Sequence, residues 1–195
     1  MKFKKTLASL VMAGAMALGS NNAKATLIPF EQSIPDSYYA SGSILNPEKS
    51  VDGDFDTYAE SLGKPSEFTL TETYNIPENT ISAEWTSKFS LGGYTIGKID
   101  YSIDRLDWVS LYVGNTFDGK NIEEILNKSL NPLEDFGKQF SEIDNLYFRS
   151  QFITPYSFSG LSSYNEGKIT GMILPEVATI ALLGLGSLCL LPKRR

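Results

Sequence analysis

The chain has 195 residues, 42% of them hydrophobic, with 17 Lys and Arg against 23 Asp and Glu for a net charge of −6. Histidine is absent, which excludes Ser-His-Asp and Cys-His nucleophile systems and His-bearing zinc sites and leaves carboxylate chemistry, such as a glycosidase pair, for catalysis. The one cysteine, Cys189, lies in a C-terminal apolar run, so the body of the protein can form no disulfide and has to be stabilised by core packing.

Residues 1–25 read as a secretory signal peptide. Lys2, Lys4 and Lys5 precede the apolar stretch Leu7 to Leu18, and Ala23-Lys24-Ala25 forms a small-x-small cleavage site, so the mature chain is predicted to start at Thr26. The apolar stretch is too short for a membrane span and ends at Ser20-Asn21-Asn22. Residues 26–174 then make one extracytoplasmic domain. Four of the 17 cationic residues lie in the signal and three in the tail, and only Glu176 of the 23 acids lies outside the body, so ten against 22 leaves the body near −12. Such a surface repels nucleic acid and anionic membranes and is able to recruit divalent cations.

The Ser- and Pro-containing stretch from Gln32 to Pro47 reads as an approach to a β domain. After it comes the densest chemical motif, Ser50-Val51-Asp52-Gly53-Asp54-Phe55-Asp56-Thr57-Tyr58. Asp52, Asp54 and Asp56 stand at i, i+2 and i+4 around a glycine turn, with Thr57 adding a hydroxyl, and this set of hard oxygens is a candidate Ca2+ site. It is not an EF-hand loop, because the glycine is second rather than sixth and Gly63 occupies the twelfth place. The competing reading is an acidic turn whose side chains satisfy local amides.

Downstream the pattern is β. Ser66 to Tyr74 alternates, with Phe68, Leu70 and Tyr74 on one face that Glu72 interrupts. Thr80 to Phe89 puts Ile81, Ala83, Trp85 and Ser87 on one face. Tyr94 to Ile103 follows the Gly92-Gly93 turn signal, and a phase shift at Gly97 predicts a bulge there. Asp107 to Val113, Asn145 to Ile153 and Lys168 to Leu174 complete the set, and many short strands between turn residues point to an antiparallel sandwich. Asn121 to Leu126 reads instead as one short helix, with Asn121 as N-cap, Glu124 three residues on and Pro132 as terminator. Trp85 and Trp108 fall within strand patterns and are expected in the core. Tyr38, Tyr39, Tyr58, Tyr156 and Tyr164 stand off the clean alternation, and of these Tyr58 and Tyr156 are the candidate stacking platforms for a sugar.

The tail, residues 175–195, opens Pro175-Glu176-Val177 and continues as an apolar run to Leu191 before Pro192-Lys193-Arg194-Arg195. At about 1.5 Å per residue, the run from Val177 to Leu191 covers only ~22 Å of a ~30 Å hydrocarbon core, a minimal transmembrane helix. The terminal cations keep that end in the cytoplasm and place the body outside. Pro175 to Gly186 followed by the cationic stop resembles the PEP-CTERM sorting signal of Gram-negative bacteria that make extracellular polysaccharide, with Val177 where that family has a second Pro. The resemblance implies recognition by exosortase, a transpeptidase-like membrane enzyme, transient anchoring in the inner membrane, and a destination at the cell envelope, cell surface or extracellular matrix. An ordinary C-terminal anchor is the alternative.

Asn46 to Ser61, with Val51-Asp52-Gly53-Asp54 and Thr57, resembles the start of a discoidin domain, a galactose-binding-like jelly roll that carries a related signature in a loop near structural calcium. Tyr58 or Ala59 stands where that signature has Trp, and Tyr147-Phe148-Arg149 is similar to a later Tyr-x-Arg strand. The resemblance implies a β-sandwich of the jelly-roll, galactose-binding-like class. The functional expectation is an exported, non-catalytic module that binds glycan or extracellular polysaccharide. The alternative is a purely structural envelope or biofilm-matrix protein.

Overall fold

The computed structural model describes residues 27–54, 56–61, 66–116, 121–154 and 162–175. The signal cleavage residues Ala23 and Ala25, the sorting residues Glu176 and Val177, and Tyr156 lie outside them; Pro175 is the last described residue. Among the described residues no helix is long and apolar enough to cross a membrane.

Eleven strands are present among the described residues: β1 (Ile28–Gln32), β2 (Ser37–Gly42), β3 (Ile44–Leu45), β4 (Ala59–Ser61), β5 (Ser66–Asn75), β6 (Thr80–Leu91), β7 (Ile96–Ser102), β8 (Val109–Asn115), β9 (Ile122–Ser129), β10 (Asn145–Thr154) and β11 (Ser163–Ile173). One sheet runs β3-β4-β11-β6-β9, with β1 also on β11, and the other runs β2-β5-β10-β7-β8. The pairings among β2 to β11 are antiparallel. The compact unit built from them spans Pro29–Ile173.

The period-2 pattern of the sequence decides which side chains enter the space between the sheets. From β6 the buried set is Ala83, Trp85, Ser87, Phe89 and Leu91, and from β10 it is Leu146, Phe148, Ser150, Phe152 and Thr154. The indole of Trp85 lies flat on Phe148, with centroids 4.6 Å apart and planes 5° apart, so one aromatic from each sheet closes the sandwich. Phe68 stacks on Phe152 at 4.8 Å, and Tyr74 meets Phe148 edge-on at 5.8 Å. Such pairs contribute about 0.5–1.5 kcal/mol each beyond their buried area, which matters in a core without a disulfide.

Four expectations are corrected. Asn121 to Leu126 is not a helix: Ile122–Ser129 is an edge strand, pairing residue for residue with β6 from Leu91↔Ile122 to Glu84↔Ser129. Left helical, this segment would leave the N–H and C=O groups along the β6 edge without partners, so the tertiary requirement overrides a capping pattern of a few residues. The described α-helix is α1 (Pro132–Phe136), and Pro132 opens it after the N-cap Asn131, whose side chain accepts from Glu134 N. A proline suits the first turn, where the N–H has no intrahelical partner.

The Gly97 bulge is displaced. Against β10 the register is continuous through Gly97↔Phe152, and the irregularity lies against β8 between Ile99 and Asp100. Gly97 serves packing instead, since a Cβ there would come 2.7 Å from Leu91 Cδ2. Trp108 is not in the core: it is half-buried on the outer side of the second sheet, with the Arg149 guanidinium 4.1 Å from its ring centre. Tyr164 is not a surface platform but fully buried on β11.

Candidate ligand-binding sites

The 3-10 turn Pro47–Ser50 and the turn after it lie on the outer side of β11 and β4. Gly53 adopts φ +87°, a conformation that L side chains rarely take, which explains a glycine between two aspartates. The turn is braced by its own side chains: Asp52 Oδ1 accepts from Asp54 N at 3.0 Å, and Asp54 Oδ1 accepts from Asp56 N at 3.0 Å.

The expected three-carboxylate cluster is not assembled. Asp56 faces Lys88, with Nζ–Oδ1 at 3.8 Å, and Asp54 turns its carboxylate to a backbone amide. Among the described residues no group of three or more Asp, Glu, His or Cys side chains is placed to hold a metal. A different set of oxygens does converge, around Thr57 Oγ1. Within 3.0 Å of it lie the Lys49 carbonyl at 2.8 Å, Asp52 Oδ1 at 2.9 Å, Asp52 Oδ2 at 3.0 Å and the Asp54 carbonyl at 3.0 Å. A hydroxyl has one proton, so it can satisfy one of these oxygens at a time. Four electron-rich atoms crowded on one hydroxyl is a donor set that fits a hard cation.

Glu166, which sequence reasoning missed, adds to it. It pairs with Lys88 across β11 and β6, just after an irregularity between Tyr164 and Glu166, and is fully buried beneath the turn. A Cβ on Gly53 would lie 4.0 Å from its Oε1. Among the described residues neither of its carboxylate oxygens receives a hydrogen bond of full geometry, although the Gly53 amide approaches it. Burial pushes its carboxyl up to about 7, against the Gly53 amide, and the charges of Asp52 and Asp54 push the same way as burial. The oxygens that converge are those of Lys49 and Asp54 through carbonyls, Asp52 through its carboxylate and Thr57 through its hydroxyl, with the Glu166 carboxylate close by at Gly53. Only the cross-strand register reveals Glu166.

Beside this turn the outer face of the first sheet carries a groove of about 390 Å³. Its floor is a cross-strand row in register, Glu60↔Ser163↔Ser90↔Glu123. Lys88 lies along it, 3.7 Å from Glu123 Oε1, and Asp56 and Asn165 form part of the wall. Tyr58 stands at the rim, 42% exposed. The expected platform Tyr58 is thus brought beside a row of acceptors. The aromatics Tyr38 and Tyr39 sit instead on β2 of the other sheet.

No family model matches the chain, and no curated protein matches it. Among solved structures it is similar to TmCBM61 in complex with beta-1,4-galactotriose, at 10% identity and TM-score 0.42, covering 70% of this chain and 90% of that one. It is similar also to chitosan-binding module 2, in complex with chitotriose, of a chitosanase/glucanase from Paenibacillus sp. IK-5, at 18% identity and TM-score 0.41, covering 70% and 97%. A third is CBM32-1 from a family 31 glycoside hydrolase of Clostridium perfringens, at 15% identity and TM-score 0.37, covering 71% and 96%. These neighbours are carbohydrate-binding modules.

Proposed function

We propose that this protein is an exported, non-catalytic glycan-binding module of galactose-binding-like architecture, sorted to the cell surface or extracellular matrix by its tail. The observation that carries the binding reading is the groove beside Tyr58. A pyranose offers an apolar C–H face and a rim of hydroxyls, and the groove offers one exposed aromatic ring above a floor of carboxylate and hydroxyl oxygens. With Asp56, Glu60 and Glu123 against Lys88, its charge favours neutral or amino sugars over acidic ones. Binding is preferred to hydrolysis because a glycosidase needs a carboxyl held protonated within reach of substrate. Among the described residues the two carboxyls pushed furthest up, Glu72 to about 8 and Glu166 to about 7, are both fully buried and out of a polymer's reach.

Calcium has a structural part in this reading. Bound by the oxygens around Thr57 and by Glu166, it would tie the turn that carries Asp56 and Tyr58 to β11, and so hold one wall of the groove. Export, recognition of Pro175-Glu176-Val177 by an exosortase-like enzyme and transient anchoring by the C-terminal helix rest on the sequence of the two ends. The binding reading is tested by glycan-array screening of the wild type and Tyr58→Ala. Retention of a neutral or amino glycan that the variant loses supports it. No glycan retained by either leaves the purely structural envelope role.

A further inference from the structure

At one hollow the outer face of the second sheet gathers cations on an otherwise acidic body. Between residues 26 and 174 the chain contains only two arginines, Arg105 and Arg149, in a segment near −12. Both stand at one hollow of about 310 Å³, together with Tyr38, Tyr39, Thr71 and Trp108. Register brings Tyr39 and Arg149 together, since Tyr39↔Thr71, Thr71↔Arg149 and Arg149↔Asp100 form one row across β2, β5, β10 and β7, and Arg105 joins them from the loop after β7.

Each guanidinium lies over an aromatic ring. Arg149 lies 4.1 Å from the centre of Trp108, and Arg105 lies 4.4 Å from that of Tyr147. From below, Asp100, fully buried, accepts through Oδ2 from Arg149 Nη2 at 2.9 Å and from Lys98 Nζ at 2.8 Å. Arg105 Nη2 donates to Thr73 Oγ1 at 3.2 Å. The loop carrying Arg105 and Trp108 is braced too. Ser102 Oγ accepts from Asp104 N and Arg105 N, Asp104 Oδ1 from Leu106 N and Asp107 N, and Trp108 Nε1 donates to the Arg105 carbonyl at 3.1 Å.

The hollow is lined, among the described residues, by Arg105 and Arg149 and by no carboxylate, while Asp100 lies against Arg149 and Lys98, and Asp104 and Asp107 flank Arg105 and Trp108 in their loop. Among the described residues the hydrogen bonds engage only one nitrogen of each guanidinium, and Arg149 Nε is buried without a partner. A braced guanidinium with donors free is suited to a planar oxyanion and gives up little rotamer freedom on binding it. The neighbouring rings, above all Tyr39 at 68% exposure, supply the apolar contact that a sugar face needs.

From this juxtaposition we infer that the outer face of the second sheet is a second ligand site, one that takes a uronate-containing polysaccharide, with the sugar carboxylate on Arg105 and Arg149 and the pyranose against Tyr39 and Trp108. It is independent of the groove beside Tyr58, which lies on the other sheet.

The test is affinity electrophoresis of the full chain in gels containing polygalacturonate, carboxyl-reduced polygalacturonate or dextran sulfate. In the Tyr58→Ala background, which disables the neutral-sugar groove, retardation by polygalacturonate that weakens as salt is raised, is absent with the carboxyl-reduced polymer, and falls about tenfold or more on adding Arg105→Gln or Tyr39→Ala is the expected result. Both side chains are exposed, and unchanged melting temperatures show that the variants are folded. Tyr58→Ala is expected to be retarded like the wild type, which separates this site from the groove. In that background, equal retardation by the carboxyl-reduced polymer, or by polygalacturonate after Arg105→Gln is added, overturns the inference. Equal retardation by dextran sulfate overturns the assignment to uronates.

Discussion

Glu72 Oε2 accepts a hydrogen bond from the Tyr164 hydroxyl at 2.7 Å, and this bond joins the two sheets through the middle of the apolar core. Both residues are fully buried. The Tyr74 hydroxyl lies 3.3 Å from Glu72 Oε1 and 2.7 Å from the Gly167 carbonyl. With one phenolic proton to share between two oxygens, Tyr74 leaves a place that a protonated Glu72 fills. Burial pushes the Glu72 carboxyl up to about 8, against the hydrogen bonds from Tyr164 and Tyr74, so the residue that breaks the alternation of β5 is a neutral acid at pH 7.

Stability should therefore depend on pH. An unfolded chain releases this proton near 4.5, whereas the folded chain keeps it to about 8. Between these values the folded state binds more protons, so stability is greatest below that window and falls as pH rises through it, by at most about 1.4 kcal/mol per unit. Glu166 adds to the slope between 4.5 and about 7. Urea unfolding with a chelator present should show this decline, and Glu72→Gln should flatten it and be the more stable protein at pH 8. An identical slope in the variant would exclude Glu72 as its source.

Calcium should act on the same pH range from the outside of the sheet. Saturation at a hundred times Kd stabilises by about 2.7 kcal/mol, so millimolar calcium is expected to raise the melting temperature by several degrees. Thr57→Val and Glu166→Gln should each abolish the increase. Glu166→Gln should also be more stable than the wild type without calcium, because it removes a buried charge. A melting temperature unmoved by calcium refutes the site.

Gly167 should not accept a side chain. A Cβ there would come 2.8 Å from the Tyr164 hydroxyl, 2.9 Å from Trp85 Nε1 and 3.0 Å from Trp85 Cζ2. Both neighbours are fully buried and cannot swing aside. Gly167→Ala is expected to cost about 1–3 kcal/mol by overpacking, read as a lower urea midpoint at unchanged slope.

Sorting should depend on the first two residues of the tail. Replacing Pro175-Glu176 by alanines is expected to leave an unprocessed form held in the inner membrane, visible by fractionation and a shift in size. The same size and location as the wild type would remove the exosortase reading.

Much of the protein was legible from the order of its residues, because the cues are local. Phe68, Leu70 and Tyr74, or Leu146, Phe148 and Phe152, share a face whatever surrounds them, since side chains alternate along any strand. The acidic turn at Gly53 was equally readable, because a glycine between aspartates signals a turn by its own backbone freedom. The exclusion of histidine and thiol chemistry needed no coordinates at all. What tertiary structure alone decided is non-local. Strand register placed Glu166 under a turn more than a hundred residues earlier, and the loop between β7 and β8 brought Arg105 to the hollow that Arg149 lines. The open edge of β6 turned a helix-like segment into a strand, because backbone groups along a sheet edge need partners that no short-range pattern encodes.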